Sequence, residues 1–181
     1  VCNLIIERNM QVTFQLYNGI RVDRVSRDLI TTMKKAGCNF LAFGCESGNE
    51  PFLRIIRKGL RPPMVREMVD LTHELGIETA VNFIIGHPEE TYEAAMDSVR
   101  FAKKILKTCD YTMVSNMIPY PGTDVYKWIR EQEKTGRARF IRQPEEYLRD
   151  TTTKIGEPVF ETREFRYHER VTEKVWFRTV V

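Results

Sequence analysis

The sequence predicts an α/β fold built on a parallel sheet with helices packed outside it. Three observations carry this. Short apolar stretches, rich in β-branched and aromatic residues, alternate with longer stretches of helical periodicity. The apolar stretches lack polar alternation, so both of their faces are expected to be covered. Each stops in an unusual polar loop, whereas the return connections (Gly37-Cys38, Glu74-Leu75-Gly76, Thr108-Cys109-Asp110) are short and plain. Such alternation implies parallel strands joined by right-handed crossovers, with any ligand site on the rim formed by the strands' carboxyl ends.

Residues 1–9 read as the end of a helix. Val12 to Tyr17 has strand composition. Asn18-Gly19 carries a hairpin signal, but no partner strand follows it. Val25, Leu29, Met33 and Ala36 then fall at helical spacing, with Ser26 as a cap and Gly37 as the stop. Residues 39–45 form the next strand, and Asn49-Glu50-Pro51 opens a helix that carries Phe52, Leu53 and Ile56 and ends near Gly59. Pro62-Pro63 starts another helix, with Val65, Met68, Val69, Thr72 and Leu75 on its apolar face. A strand over 77–85 leads to a helix bearing Ala95, Val99, Ala102 and Leu106. A fourth strand spans 111–118, and a helix from about Asp124 to Lys134 ends the pattern at Gly136. Residues 137–160 read as loop with one short helix. Beyond them, a helix over 167–181 and a strand over 159–167 are both compatible with the sequence.

Composition narrows the function. The hydrophobic fraction of 42% and charged fraction of 29% suit a globular domain with a real core. The formal charge of +3 is small, and Lys and Arg are interspersed with acids, so no nucleic-acid-binding stripe is expected. No apolar run approaches the ~20 residues of a membrane span, and no signal peptide is recognisable. Four cysteines, Cys2, Cys38, Cys45 and Cys109, form neither a disulfide framework nor a metal-ligand spacing, which points to a reduced, cytoplasmic protein without a bound metal. The start at Val1, without methionine, suggests processing or excision from something longer.

The polar loops are Arg21-Val22-Asp23, Gly44-Cys45-Glu46-Ser47-Gly48, Gly86-His87-Pro88-Glu89-Glu90-Thr91 and Pro119-Tyr120-Pro121-Gly122-Thr123. Each also has a plain structural reading. The glycines serve turns, Thr91 and Glu90 serve a helix start, and Arg21 pairs with Asp23. Glu46 resists that reading most, because a carboxylate ending an apolar strand is partly buried and needs partners. Gly44 to Gly48 approximates a nucleophile elbow, but the serine stands one place too late. Neither a dinucleotide fingerprint nor a Walker sequence occurs.

Taken in order, these segments resemble the radical S-adenosylmethionine (SAM) enzymes. They are joined in the resemblance by Met33 to Cys38, Leu53, Lys58-Gly59, Gly76-Ile77 and Phe83-Ile84-Ile85. The likeness is greatest to the group that often carries an upstream cobalamin-binding domain, with the methylthiotransferase group next. It covers residues 20–125 and not residues 137–181. It implies a partial (β/α)6 TIM-like barrel whose first strands are missing, with residues 1–136 as the barrel part and 137–181 as an extension. It further implies that Glu46 and Ser47 approach the ribose and amino acid of SAM, with Gly44 in the same loop. Asn82 to Gly86, with Glu90, would lie beside adenine and methionine. Pro121 and Gly122 would border adenine or substrate, and Arg21 would face the cavity. Glu89 stands where the family usually has glycine. The family's Cys-x3-Cys-x2-Cys loop, which holds a [4Fe-4S] cluster, is absent. The implied reading is therefore a fragment, inactive alone, of an enzyme that cleaves SAM to a 5′-deoxyadenosyl radical. The catalytic residues and the substrate are not legible, cobalamin would sit on an upstream domain, and a truncated barrel would self-associate. A cofactor-free binding or assembly module of similar fold remains the alternative.

Overall fold

A computed structural model describes residues 1–149 and 157–172. The chain opens with α1 (Cys2–Glu7), β1 (Phe14–Ile20), a short 3-10 turn (Val22–Arg24) and α2 (Arg27–Lys35). Then come β2 (Cys38–Glu46), α3 (Glu50–Ile55), α4 (Pro62–Glu74), β3 (Glu78–Ile85), α5 (Tyr92–Ile105), β4 (Tyr111–Asn116) and α6 (Asp124–Glu133). β5 (Ala138–Phe140), α7 (Pro144–Tyr147) and β6 (Phe160–Thr162) follow, with a helical stretch over 167–172. The Thr151-Thr152-Thr153 triplet and the expected helix beyond residue 172 lie outside the described residues.

Strands β1 to β4 are all parallel and stand in sequence order. An unreversed order has no switch point, so every crossover returns on the same side, as in a barrel and unlike a doubly wound sheet. The helix starts follow from local chemistry. Ser26, Asn49, Thr91 and Thr123 each accept a hydrogen bond from the backbone N–H three residues on, which satisfies an otherwise orphaned donor.

The main core lies between the sheet and these helices. In β2, Leu41, Phe43 and Cys45 enter it, together with Leu53, Val65, Val69, Val81, Phe83, Val99 and Ile105. The other face of β2 gives a small separate cluster of Phe40, Ala42 and Ala80. That face is incompletely covered: Tyr17, Tyr111 and Met113 are exposed. The expectation that every strand is covered on both faces therefore fails for β1 and β4. On α2 the buried residues are Ile30 and Met33, and Leu29 points outward. Of the expected face, Val25, Met33 and Ala36 do turn inward, and Ile30 takes the place expected for Leu29.

A second core joins Ile129 of α6 to Ala138 and Phe140 of β5, Tyr147 of α7, and Val159 and Phe160. β5 and β6 pair antiparallel, and the Tyr147 hydroxyl donates to the Pro119 carbonyl. Packing therefore runs across residue 136. No helix among the described residues is long and apolar enough to cross a membrane.

Candidate functional site

The carboxyl ends of the strands enclose an open cleft of about 290 Å³. Asn18 and Gly19 line it from β1 and Arg21 from just after it, Gly44 and Glu46 from β2, Asn82 and Ile84 from β3, and Met113 and Ser115 from β4. Lys58 closes it from the α3–α4 loop. Two strand irregularities shape it. The β1–β2 register shifts between Leu16 and Ile20, where Gly19 has φ +70°. Asn18-Gly19 is thus a bulge within a strand rather than a turn, and β1 runs on to Ile20. In β2, Gly44 pairs with Asn82 and Glu46 with Phe83, so Cys45 is skipped.

Glu46 sits at φ +67°. The left-handed region costs an L-residue about 1–2 kcal/mol, and such strain persists only where the surroundings enforce it. Here the Glu46 Oε1 accepts from Lys58 Nζ at 2.7 Å, with both side chains largely buried. Lys58 is delivered by a second strained residue. The chain leaves α3 through Arg57 at φ +55°, and Lys58 N donates back to the Leu53 carbonyl. Arg21 makes a two-point contact with Asp23, at 3.0 and 2.8 Å. The hydrogen bond from Arg21 holds the Asp23 carboxyl below its usual range. The cleft thus carries two internally neutralised ion pairs. Asn82 adds a buried Oδ1 with no hydrogen-bond partner. A buried acceptor without a donor is costly, and an amino or hydroxyl group of a ligand would complete it.

Residues 3–102, more than half of the chain, match the sequence profile of the Radical SAM superfamily. The chain belongs to that superfamily. It is 33% identical over 108 residues to an uncharacterized methyltransferase of Pyrococcus horikoshii, covering 60% of this chain and 23% of that protein. It is 30% identical over 106 residues to the bacteriochlorophyllide d C-8(2)-methyltransferase of Chlorobaculum tepidum, covering 56% and 23%. The chain thus spans about a quarter of the curated relatives it matches. Among solved structures it resembles the radical SAM methyltransferase TsrM from Kitasatospora setae, solved with cobalamin and a [4Fe-4S] cluster bound. The TM-score is 0.70 at 18% identity, over 99% of this chain and 40% of that one. It also resembles Elp3 from the archaeon Methanocaldococcus infernus, at TM-score 0.58 and 17% identity, over 94% and 33%. At these identities the likeness establishes the fold: a parallel sheet of the superfamily's TIM-like barrel.

Within this radical SAM fold, Arg21, Gly44, Glu46 and Asn82 come together on the cleft with Phe83 and Ile84 of the expected Asn82–Gly86 stretch, whereas Ser47, Ile85, Gly86, Glu90, Pro121 and Gly122 do not. Ser47, just past the β2 bulge, turns to the opposite side and is fully buried. Its hydroxyl accepts from Asn49 N at 3.1 Å and lies 3.3 Å from the Ser98 hydroxyl on α5. Gly48 explains this clamp: a Cβ there would stand 2.5 Å from the Asp97 carbonyl, so only glycine lets the loop lie on α5. Glu90 is fully buried beneath its own loop, where Oε2 accepts from Gly86 N at 2.6 Å and His87 N at 3.2 Å. Gly86 stands in the same loop, outside the cleft lining. Pro121 and Gly122 lie exposed on the loop after β4 and also miss the lining. Asn18, Lys58, Met113 and Ser115 were not expected. For Lys58 the signal was present in the Lys-Gly pair after α3, and for Asn18 it was hidden by the turn signature.

The cysteines do not suit an iron–sulfur cluster. Cys45, Cys38 and Cys109 are buried, and each thiol lies against a backbone carbonyl. Burial raises the Cys45 thiol above its ordinary value and pushes that of Cys109 up to about 11, whereas a metal ligand must be a thiolate. Among the described residues no three His, Cys, Asp or Glu side chains converge as metal ligands.

Glu89 has φ +63°. Its ion pair with Arg137 is 3.9 Å long and exposed, so it adds little. Replacing Glu89 by Gly is expected to stabilise the chain by about 0.5–1 kcal/mol, because relief of left-handed strain exceeds the entropy cost of glycine. Thermal denaturation should show a midpoint higher by about 1–4 °C, and a lower midpoint would mean that the Glu89 side chain itself holds the loop.

Proposed function

We propose that this chain forms the SAM- and substrate-facing part of a radical SAM enzyme and acts within a longer protein. The observation that carries the proposal is Glu46, held in a strained conformation at a bulge so that its carboxylate meets Lys58 on the cleft. Strain of this kind is a common mark of functional sites. In such enzymes SAM, bound beside a reduced [4Fe-4S] cluster, supplies the 5′-deoxyadenosyl radical that begins hydrogen abstraction from substrate. This chain's own residues bind and orient. Glu46 accepts hydrogen bonds from ligand hydroxyl or amino groups beside its pairing with Lys58. Asn82 offers its unfilled Oδ1, and Gly19 and Gly44 leave room for close approach at the cleft floor. The thiols present do not hold the cluster, so the chain alone is expected to cleave no SAM. Among the described residues β1 and β4 form the two edges of the sheet, and these edges, with the exposed Tyr17, Tyr111 and Met113, support self-association in solution.

Equilibrium dialysis of the 181-residue chain against radiolabelled SAM tests the reading. Saturable binding is expected. Glu46→Ala should weaken it at least about tenfold, the loss of a hydrogen bond to a charged group. Ser47→Ala should leave it unchanged. Absence of binding, or equal affinity in Glu46→Ala, would favour a cofactor-free module.

A further inference from the structure

Arg170 is fully buried, although it lies in the region outside the family resemblance. Its Nη1 donates to the Gly86 carbonyl at 2.9 Å and its Nε to the Phe165 carbonyl at 3.0 Å. The guanidinium lies over the rings of Phe160 and Phe165, with centroids at 4.5 and 4.9 Å. Burying a guanidinium is expensive unless it is compensated, and here two carbonyls take the Nε and Nη1 donors and two aromatic faces meet the charge. Gly86 shows the fit from the other side. It has φ +80°, and a Cβ there would stand 2.4 Å from Arg170 Nη1. The same peptide region is gripped from within by Glu90, which takes the N–H groups of Gly86 and His87. Phe165 belongs to the main core and meets Tyr92, the first residue of α5, edge to face at 6.2 Å. The loop from Gly86 to Glu90 is therefore held between its own carboxylate and an arginine 84 residues away.

We propose that Arg170 is a positioning residue that fixes the Gly86–Glu90 loop and, through it, the β3 wall of the cleft. Its planar fork lets one side chain tie the Gly86 and Phe165 carbonyls together, and its charge opposes the effect of burial on the Glu90 carboxyl. The loop's dependence on Arg170 stands on these contacts, whereas the consequence for ligand binding rests on the function proposed above.

Amide hydrogen exchange, read by NMR in the 181-residue chain, separates the two. In Arg170→Ala, Gly86 N–H and His87 N–H should exchange about tenfold to a hundredfold faster, while Leu41 and Phe43 in β2 change far less. Millimolar ethylguanidinium should restore their protection, and the Glu90 carboxyl carbon should titrate at higher pH without it. Arg170→Lys, which keeps the charge and loses the fork, should show the same local loss and decides the matter if Arg170→Ala does not fold. Uniformly faster exchange without rescue, or wild-type protection in Arg170→Lys, would overturn the proposal. If protection responds as expected but the wild-type chain binds no SAM, the positioning role stands and the proposed function falls.

Discussion

Phe43→Ala is expected to cost about 4 kcal/mol and to leave the chain close to unfolding. Phe43 is fully buried at the centre of β2, which pairs on both sides with parallel neighbours. Its ring enters the main core with Leu41, Cys45, Leu53 and Val81. Truncating a buried Phe removes its transfer free energy and leaves a cavity that a strand between two others closes poorly, about 3–5 kcal/mol in all. Domains of this size have total stabilities of about 5–15 kcal/mol. Urea denaturation measures the loss. Phe40→Ala is the control on the opposite face, where the ring touches the exposed Tyr17 with centroids 4.7 Å apart. It should cost clearly less. An equal loss would mean that the inner face of the sheet is covered as fully as the outer.

The second large effect concerns pH. Burial pushes Glu90 up to about 7, against the opposing pull of the Gly86 and His87 N–H groups and of Arg170. Burial, with Arg170 and Lys58, pushes neighbouring His87 down to about 4. The two act in opposite directions. Glu90's folded value is raised, so the stability it contributes is complete below about pH 4.5 and is lost as pH rises to about 7. His87's folded value is depressed, so its contribution is complete above about pH 6.5 and is lost as pH falls to about 4. Each amounts to about 3 kcal/mol. Between about pH 4.5 and 6.5 they nearly cancel. Glu90→Gln should therefore reveal stability that rises with pH in this window, and His87→Gln stability that falls. Urea midpoints at the two ends of the window check the signs. Parallel slopes in the two variants would contradict the burial of one of them.

Much of this molecule was legible before its structure. The four parallel strands, the caps at Ser26, Asn49 and Thr91, and the burial of α4 on Val65, Met68, Val69 and Thr72 follow from periodicity and turn chemistry. The position of the cleft also followed, because only the carboxyl rim carries polar loops. Individual roles were less legible, since a strand's alternation fails at a bulge. Counting by twos from Gly44 places Glu46 correctly, but it does not reveal that Ser47 is turned onto α5 and sealed by Gly48. Glu90 was expected beside a ligand. Instead, its helix start draws the carboxylate under the loop to serve two backbone N–H groups. Arg170 was illegible because its partner, the Gly86 carbonyl, is a backbone atom far away in sequence that leaves no pattern in side-chain types.

The central claim is that the cleft of Arg21, Glu46, Lys58 and Asn82 receives SAM. Titrating the isotopically labelled chain with S-adenosylhomocysteine, which resists reductive cleavage, and following amide shifts tests it most directly. Shifts should saturate together at Gly19, Gly44, Glu46, Asn82 and Phe83, with Glu161 and Arg166 beyond β5 unmoved. Shifts confined to that second region, or none at the cleft, would contradict it.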